Sequence, residues 1–173
     1  MKGELSMNTN KLTLSALFAA LTCLATMVIR IAIPATNGYI HLGDCMVILS
    51  GICLGPVYGV FAAGIGSAMA DFLGGYMIYI PITFVVKGLM AFAAAIIFHK
   101  LADKVVSPAL RTIFSGLACT LLLVLGYFVF EYPMYGSAAI VSIIPNLIQG
   151  LSGLVLSSLL VPSTIRIMAR IKK

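Results

Sequence analysis

Asp71 and Lys87 stand in the stretch ADFLGGYMIYIPITFVVKG, residues 70–88, inside an otherwise apolar run. An acid and an amine so placed have two uses. They neutralise each other as a structural ion pair, or they present charge to a ligand. Other polar groups recur in similar surroundings: Arg30, Asp44 in HLGD, Glu131 in FEYPMYG, and Asn146 with Gln149 in IPNLIQG. Carboxylates accept hydrogen bonds, lysine donates them and the amides do both. Six tyrosines accompany them, Tyr39, Tyr76, Tyr79, Tyr127, Tyr132 and Tyr135. Phenol rings beside a few fixed charges suit a flat heteroaromatic ligand, which needs stacking and a small number of directed polar contacts.

The elements that carry these residues follow from composition. The chain has 173 residues, 61% hydrophobic and 9% charged. A soluble domain carries roughly 25% charged residues, so this chain has too little polar surface to face water and reads as an integral membrane protein. Spanning helices need about 20 apolar residues each. The length therefore predicts a single all-α domain over 1–173 with six transmembrane helices. They are expected near 11–33, 44–55, 57–74, 81–100, 108–130 and 138–161, with a short basic tail over 163–173. Pro34, Pro56, Pro81, Pro108 and Pro162 mark most borders, as expected where backbone pairing stops. The segment 44–55 is short for a span, so it is tilted, part-embedded or joined to its neighbour through a kink at Pro56.

The formal net charge of +6 is a topology signal and not a sign of nucleic-acid binding. Lys2, Lys11, Lys100, Lys104, Arg111, Arg166, Arg170, Lys172 and Lys173 fall at the N-terminus, the loop near 100–108 and the C-terminus. With six spans all of these share one side, which the positive-inside rule makes cytoplasmic, with both termini. The tail RIMARIKK reads as an anchor on anionic headgroups of the bilayer. The N-terminal apolar stretch is longer than a secretory signal core and is read as a retained first helix.

That topology puts the polar set in the outer half of the bundle, whereas the inner half is almost wholly Ala, Leu, Val, Ile and Gly. A charge at mid-helix costs about 2.5–3.5 kcal/mol on insertion scales, so the asymmetry points to an outward-open polar cavity. For each member a plainer reading stands beside the site reading. Arg30, Asp44 and Glu131 can reach headgroups from helix ends, Asp71 can pair with Lys87, and Asn146 and Gln149 can bond between helices. Tyr58 alone among the tyrosines lies on the inner side, which a symmetric aromatic belt does not explain.

Several chemistries are excluded. Cys23, Cys45, Cys53 and Cys119 form no CxxC and meet no histidine cluster, so neither a metal site, a disulfide framework nor any cofactor is indicated. GLSG, residues 150–153, has the GxSG form of intramembrane serine proteases, but His41 and His99 both precede Ser152 and no base follows it. The chain is not read as an enzyme. It also lacks a GxxxxGK[ST] phosphate loop, so any ATP hydrolysis belongs to another subunit. A stand-alone proton-coupled transporter using Asp71 is the alternative, weakened because the two halves show no inverted repeat. Ala16 and Ala20 give the first helix an AxxxA face that permits close helix approach, within the bundle or from a partner.

Taken in order, the LGD at 42–44, LGPVYG, GSAMAD, GYMIYIPITF, the KG at 87–88 and IPNLIQG resemble the substrate-binding S components of energy-coupling factor (ECF) vitamin transporters. The resemblance covers most of the chain. It implies a six-helix membrane protein that binds a vitamin or vitamin precursor on the extracytoplasmic side and delivers it through a transmembrane coupling subunit and two ATPase subunits. It implies further that Ala16 and Ala20 dock the coupling subunit and that the 34–43 loop gates the ligand. By the same resemblance Tyr39, Asp44, Asp71, Tyr79, Lys87, Glu131, Asn146 and Gln149 lie in or near the site. The motif variant looks most like members for hydroxymethylpyrimidine- or pyridoxine-type compounds, with riboflavin carriers next. A tryptophan cage of the thiamine kind is excluded, since the chain has no Trp.

Overall fold

The structure, a computed structural model, describes residues 9–171. Lys2, Lys172 and Lys173 of the charge argument lie outside them. The described chain is a helical bundle: α1 (Thr9–Val28), α2 (Asp44–Leu54), α3 (Pro56–Gly74), α4 (Ile80–Lys100), α5 (Pro108–Tyr135) and α6 (Ile143–Ile171). A small hairpin of β1 (Arg30–Ile33) and β2 (Gly38–His41) joins α1 to α2. Among the described residues, four stretches are long and apolar enough to cross a membrane: α1, α3, Met77–Lys100, and Pro108–Ile171, which includes both α5 and α6.

The packing has the inside-out logic of a lipid-facing bundle. On α3, Val57, Phe61, Ile65, Met69 and Phe72 point outward while Ala62, Ala63, Gly66 and Ala70 are buried. Small residues let helix backbones approach, and dispersion contacts replace the hydrophobic effect that lipid cannot supply. The closest approach is at Gly51 of α2, where an added Cβ would meet the Ala91 carbonyl oxygen of α4 at 2.1 Å.

α2 is the central element. It spans 11 residues, about 16 Å at 1.5 Å per residue, and packs against α1, α3, α4 and α6. Val47, Ile48, Leu49 and Ile52 are all but inaccessible. The short segment is thus a separate helix, divided from α3 at Gly55. It is sheathed by its neighbours and ends at Gly55, whose φ of +82° a side chain would resist, with Pro56 starting α3.

Four expected boundaries move. The first helix stops at Val28, five residues before the expected 33, because the chain bends at Ile29 and Arg30–Ile33 pairs antiparallel with 38–41, Arg30 opposite His41 and Ile33 opposite Gly38. β-branched residues favour the strand, and Pro34 disfavours helix for the residue before it. The fifth helix runs on to Tyr135 through Pro133. The sixth begins at Ile143, after a 3-10 turn at Gly136–Ser142, and continues through Pro162 to Ile171. Residues 163–171 are therefore the last turns of α6 and not a separate tail. Pro162 removes one backbone donor from a helix long enough to keep its course on either side.

Candidate functional site

The hairpin lies over the end of the bundle where α1 finishes and α2 begins, and beneath it the polar side chains gather in two layers.

The upper layer lines a narrow cleft. Asp71, one turn before the end of α3, accepts a 2.6 Å hydrogen bond on Oδ1 from the Tyr39 hydroxyl of β2. Its Oδ2 is buried and makes no hydrogen bond of ordinary geometry, with the Thr83 hydroxyl the nearby donor to this carboxylate. The Tyr39 ring sits 4.4 Å from the Tyr76 ring, and the Arg30 guanidinium lies 5.1 Å above it. Arg30 itself is tied to α3 by a 3.2 Å bond to the Ala70 carbonyl. Burial, and after it the charge of Asp71, raises the Tyr39 phenol well above its ordinary range, so it remains a donor.

Across the cleft, Glu131 of α5 is buried. One of its carboxylate oxygens lies 3.0 Å from the Tyr79 hydroxyl, and the other accepts from Ser142. The Tyr79 hydroxyl is also 2.6 Å from the Thr36 carbonyl in the hairpin loop, so it bridges the loop to α5. Thr83 and Tyr127 close the floor, their hydroxyls 3.0 Å apart. The space left among these groups is about 20 Å³, room for roughly one water. The cleft is closed by its own hairpin.

The lower layer is a buried network. Lys87 and Asp44 form an ion pair at 2.5 Å, both side chains 0% exposed. Gln149 of α6 donates from Nε2 to Asp44 Oδ2 at 2.8 Å and accepts the His41 backbone N–H on Oε1 at 3.0 Å. The lysine is also 5.5 Å from the Tyr127 ring. His41 Nδ1 accepts from the Gly43 N–H at 2.9 Å, which requires an unprotonated Nδ1. Burial first, and the Lys87 charge second, lower the His41 imidazole to about 3.

The sequence-predicted residues thus divide. Tyr39, Asp71, Tyr79 and Glu131 line the cleft. Asp44, Lys87 and Gln149 form the layer beneath, and Asn146 is buried one turn before Gln149 without reaching the cleft wall. The pairing of Asp71 with Lys87 is corrected: the lysine takes Asp44, because the start of α2 is seated between α4 and α6 at that depth. Asp44 and Glu131, for which headgroup contact was open, are both buried. Ala16 and Ala20 are exposed on α1, while Ser15, Phe18, Thr22 and Thr26 face inward. Sequence reasoning missed His41 and Thr83 as cleft residues, and counted Tyr127 among the tyrosines suited to a ligand without naming it in the site. The signal was present for two of them: Thr83 stands four before Lys87 and Tyr127 four before Glu131, one helical turn on the same face.

Residues 6–166 match the sequence model of a family described as ECF-type riboflavin transporter, S component. A protein of Pyrococcus woesei, described as an uncharacterized protein in a gap 3' region, is 35% identical over 132 residues, 76% of this chain and 85% of that one. A solved structure described as the S component of a bacterial ECF transporter superposes with a TM-score of 0.65 at 20% identity, covering 94% of this chain and 99% of the other. That likeness is one of fold.

Proposed function

We propose, from the premise that this chain belongs to the ECF-type riboflavin transporter S-component family, that it is the substrate-specificity subunit of an ECF importer and captures a vitamin or vitamin precursor in the hairpin-covered cleft. The observation that carries this reading is Asp71 on the cleft wall, whose buried Oδ2 is left without a well-formed hydrogen bond. A buried carboxylate oxygen without a donor is costly, and a ring N–H or hydroxyl of a bound ligand would satisfy it. Glu131 offers a second acceptor from the opposite wall, and Tyr39, Tyr76, Tyr79 and Tyr127 offer ring faces.

The ligand class is a flat nitrogen heterocycle bearing hydrogen-bond donors. The narrowness of the cleft favours a single ring of the hydroxymethylpyrimidine or pyridoxine kind, which requires the smaller displacement of the hairpin. Riboflavin is the second reading, carried by the family description; its imide N–H and ribityl hydroxyls would meet the same carboxylates. In either case the hairpin loop must move for entry. The Tyr79 bridge from Thr36 to Glu131 is the contact that has to break.

Delivery follows the family plan: a single domain of six spans in the prokaryotic plasma membrane, both termini cytoplasmic. A transmembrane coupling subunit would be received at Ala16 and Ala20, and two ATPase subunits would supply the energy. The exposure of those two alanines on α1 supports this reading.

The test is equilibrium dialysis of the purified chain against hydroxymethylpyrimidine, pyridoxine and riboflavin, each at micromolar concentration. Saturable binding of one of them, lost in Asp71→Ala, is the expected result. Binding of none by folded protein would overturn the reading.

A further inference from the structure

The end of the bundle opposite the hairpin holds a second cavity of about 520 Å³, where α1, α2, α4, α5 and α6 converge. Its walls are apolar, with Leu14, Ile52, Phe98, Ile165 and Met168 prominent, whereas its charged lining is basic, Lys11 and Arg111, with the His99 imidazole beside them. Among the described residues no acid lines it.

Arg111 is the group with donors to spare. Its guanidinium lies 4.7 Å from the Phe98 ring, itself buried in the cavity wall. Nη2 makes one long bond, 3.4 Å, to the Val106 carbonyl, and Nε is buried with no partner. A guanidinium has five N–H donors in a rigid fork, and stacking on Phe98 fixes its plane while leaving donors unmet. His99 packs edge-on against Phe98 and sets Nε2 3.2 Å from the Ile52 carbonyl, which as an acceptor calls for a proton on that nitrogen.

We propose that this cavity binds an anionic phospholipid, its phosphate on Arg111 and an acyl chain along the Leu14, Ile52, Ile165 and Met168 wall. The two parts of the lining match the two parts of that molecule. Planar guanidinium donors recognise phosphate oxygens bidentately, and the apolar wall takes hydrocarbon without loss of hydrogen bonds. A soluble anion would leave the wall unused, and a zwitterionic lipid would bring its own cation against the basic rim. The site is separate from the outer cleft, with the core around Val47, Met90 and Leu123 between them, so it stands whether or not the cleft takes a vitamin.

Native mass spectrometry of the full chain in detergent micelles, titrated with phosphatidylglycerol or phosphatidylcholine, tests it. Phosphatidylglycerol should bind about tenfold more tightly, the worth of one charge-assisted hydrogen bond. Arg111→Gln should lose that preference and Arg111→Lys should keep part of it. Met168→Trp keeps every charge but fills the wall, and should lose phosphatidylglycerol too; it decides the matter if Arg111→Gln does not fold. Equal binding of the two lipids would overturn the proposal. So would full retention of phosphatidylglycerol by folded Arg111→Gln, which would put the lipid on other basic groups, or by Met168→Trp.

Discussion

Lys87 and Asp44 are 43 residues apart in sequence and 2.5 Å apart at the centre of the bundle, neither with any access to solvent. Gln149 and the His41 backbone extend the pair to the hairpin, so one buried charge pair supports the cover of the cleft from below.

Removing one partner leaves the other buried and uncompensated, which costs about 3–5 kcal/mol. Lys87→Met should therefore lower the unfolding temperature in detergent sharply. The double variant Lys87→Met with Asp44→Leu should recover most of the loss. Equal damage from single and double variants would show that the pair stabilises by packing and not by charge.

Gln149→Leu keeps the side-chain bulk but takes the acceptor from the His41 N–H and a donor from Asp44. Hydrogen exchange across residues 30–43 should speed up by about tenfold, while exchange in α3 stays as it was. An unchanged hairpin would mean that the Tyr79 bridge alone holds the cover down.

His41 makes stability depend on pH, and the sign follows from its depressed value. Folded His41 takes up its proton only near 3, against an ordinary 6.5. Between those values the unfolded chain binds more protons than the folded one, so stability falls as pH drops from 6.5 and is flat above it. The slope is at most about 1.4 kcal/mol per pH unit. Unfolding temperatures at pH 7 and pH 5 measure it, and His41→Gln should flatten the difference.

Ala16→Trp places a large ring on the exposed face of α1, away from the cleft. Ligand binding should be retained, while copurification with the coupling subunit should be lost. Loss of both would remove α1 from the docking role.

Much of this was legible in the sequence, and the remainder shows where a sequence runs out. The clustering of Asp44, Asp71, Lys87, Glu131 and Gln149 toward one end of the bundle could be read from helix registers alone, because lipid makes every buried charge conspicuous. Which acid Lys87 takes could not. Asp71 is its neighbour along the α3–α4 hairpin, but the choice depends on where α2 is seated, and that is set by close approaches such as Gly51 to Ala91. The hairpin was hidden for another reason. The run VIRIAI continues the apolar stretch of α1, and a short run of this kind carries no period that separates strand from helix. Tyr127 and Thr83 were within reach, since each lies one turn from a residue already singled out.

The brevity of α2 has an architectural meaning. A hydrocarbon layer is about 30 Å deep, and 11 residues fill only about half of it. The missing turns are what leave a chamber: the hairpin roofs the gap, and the tyrosines and carboxylates furnish it. Extending the helix by one turn before Asp44 would fill that chamber from below and draw His41 off its wall.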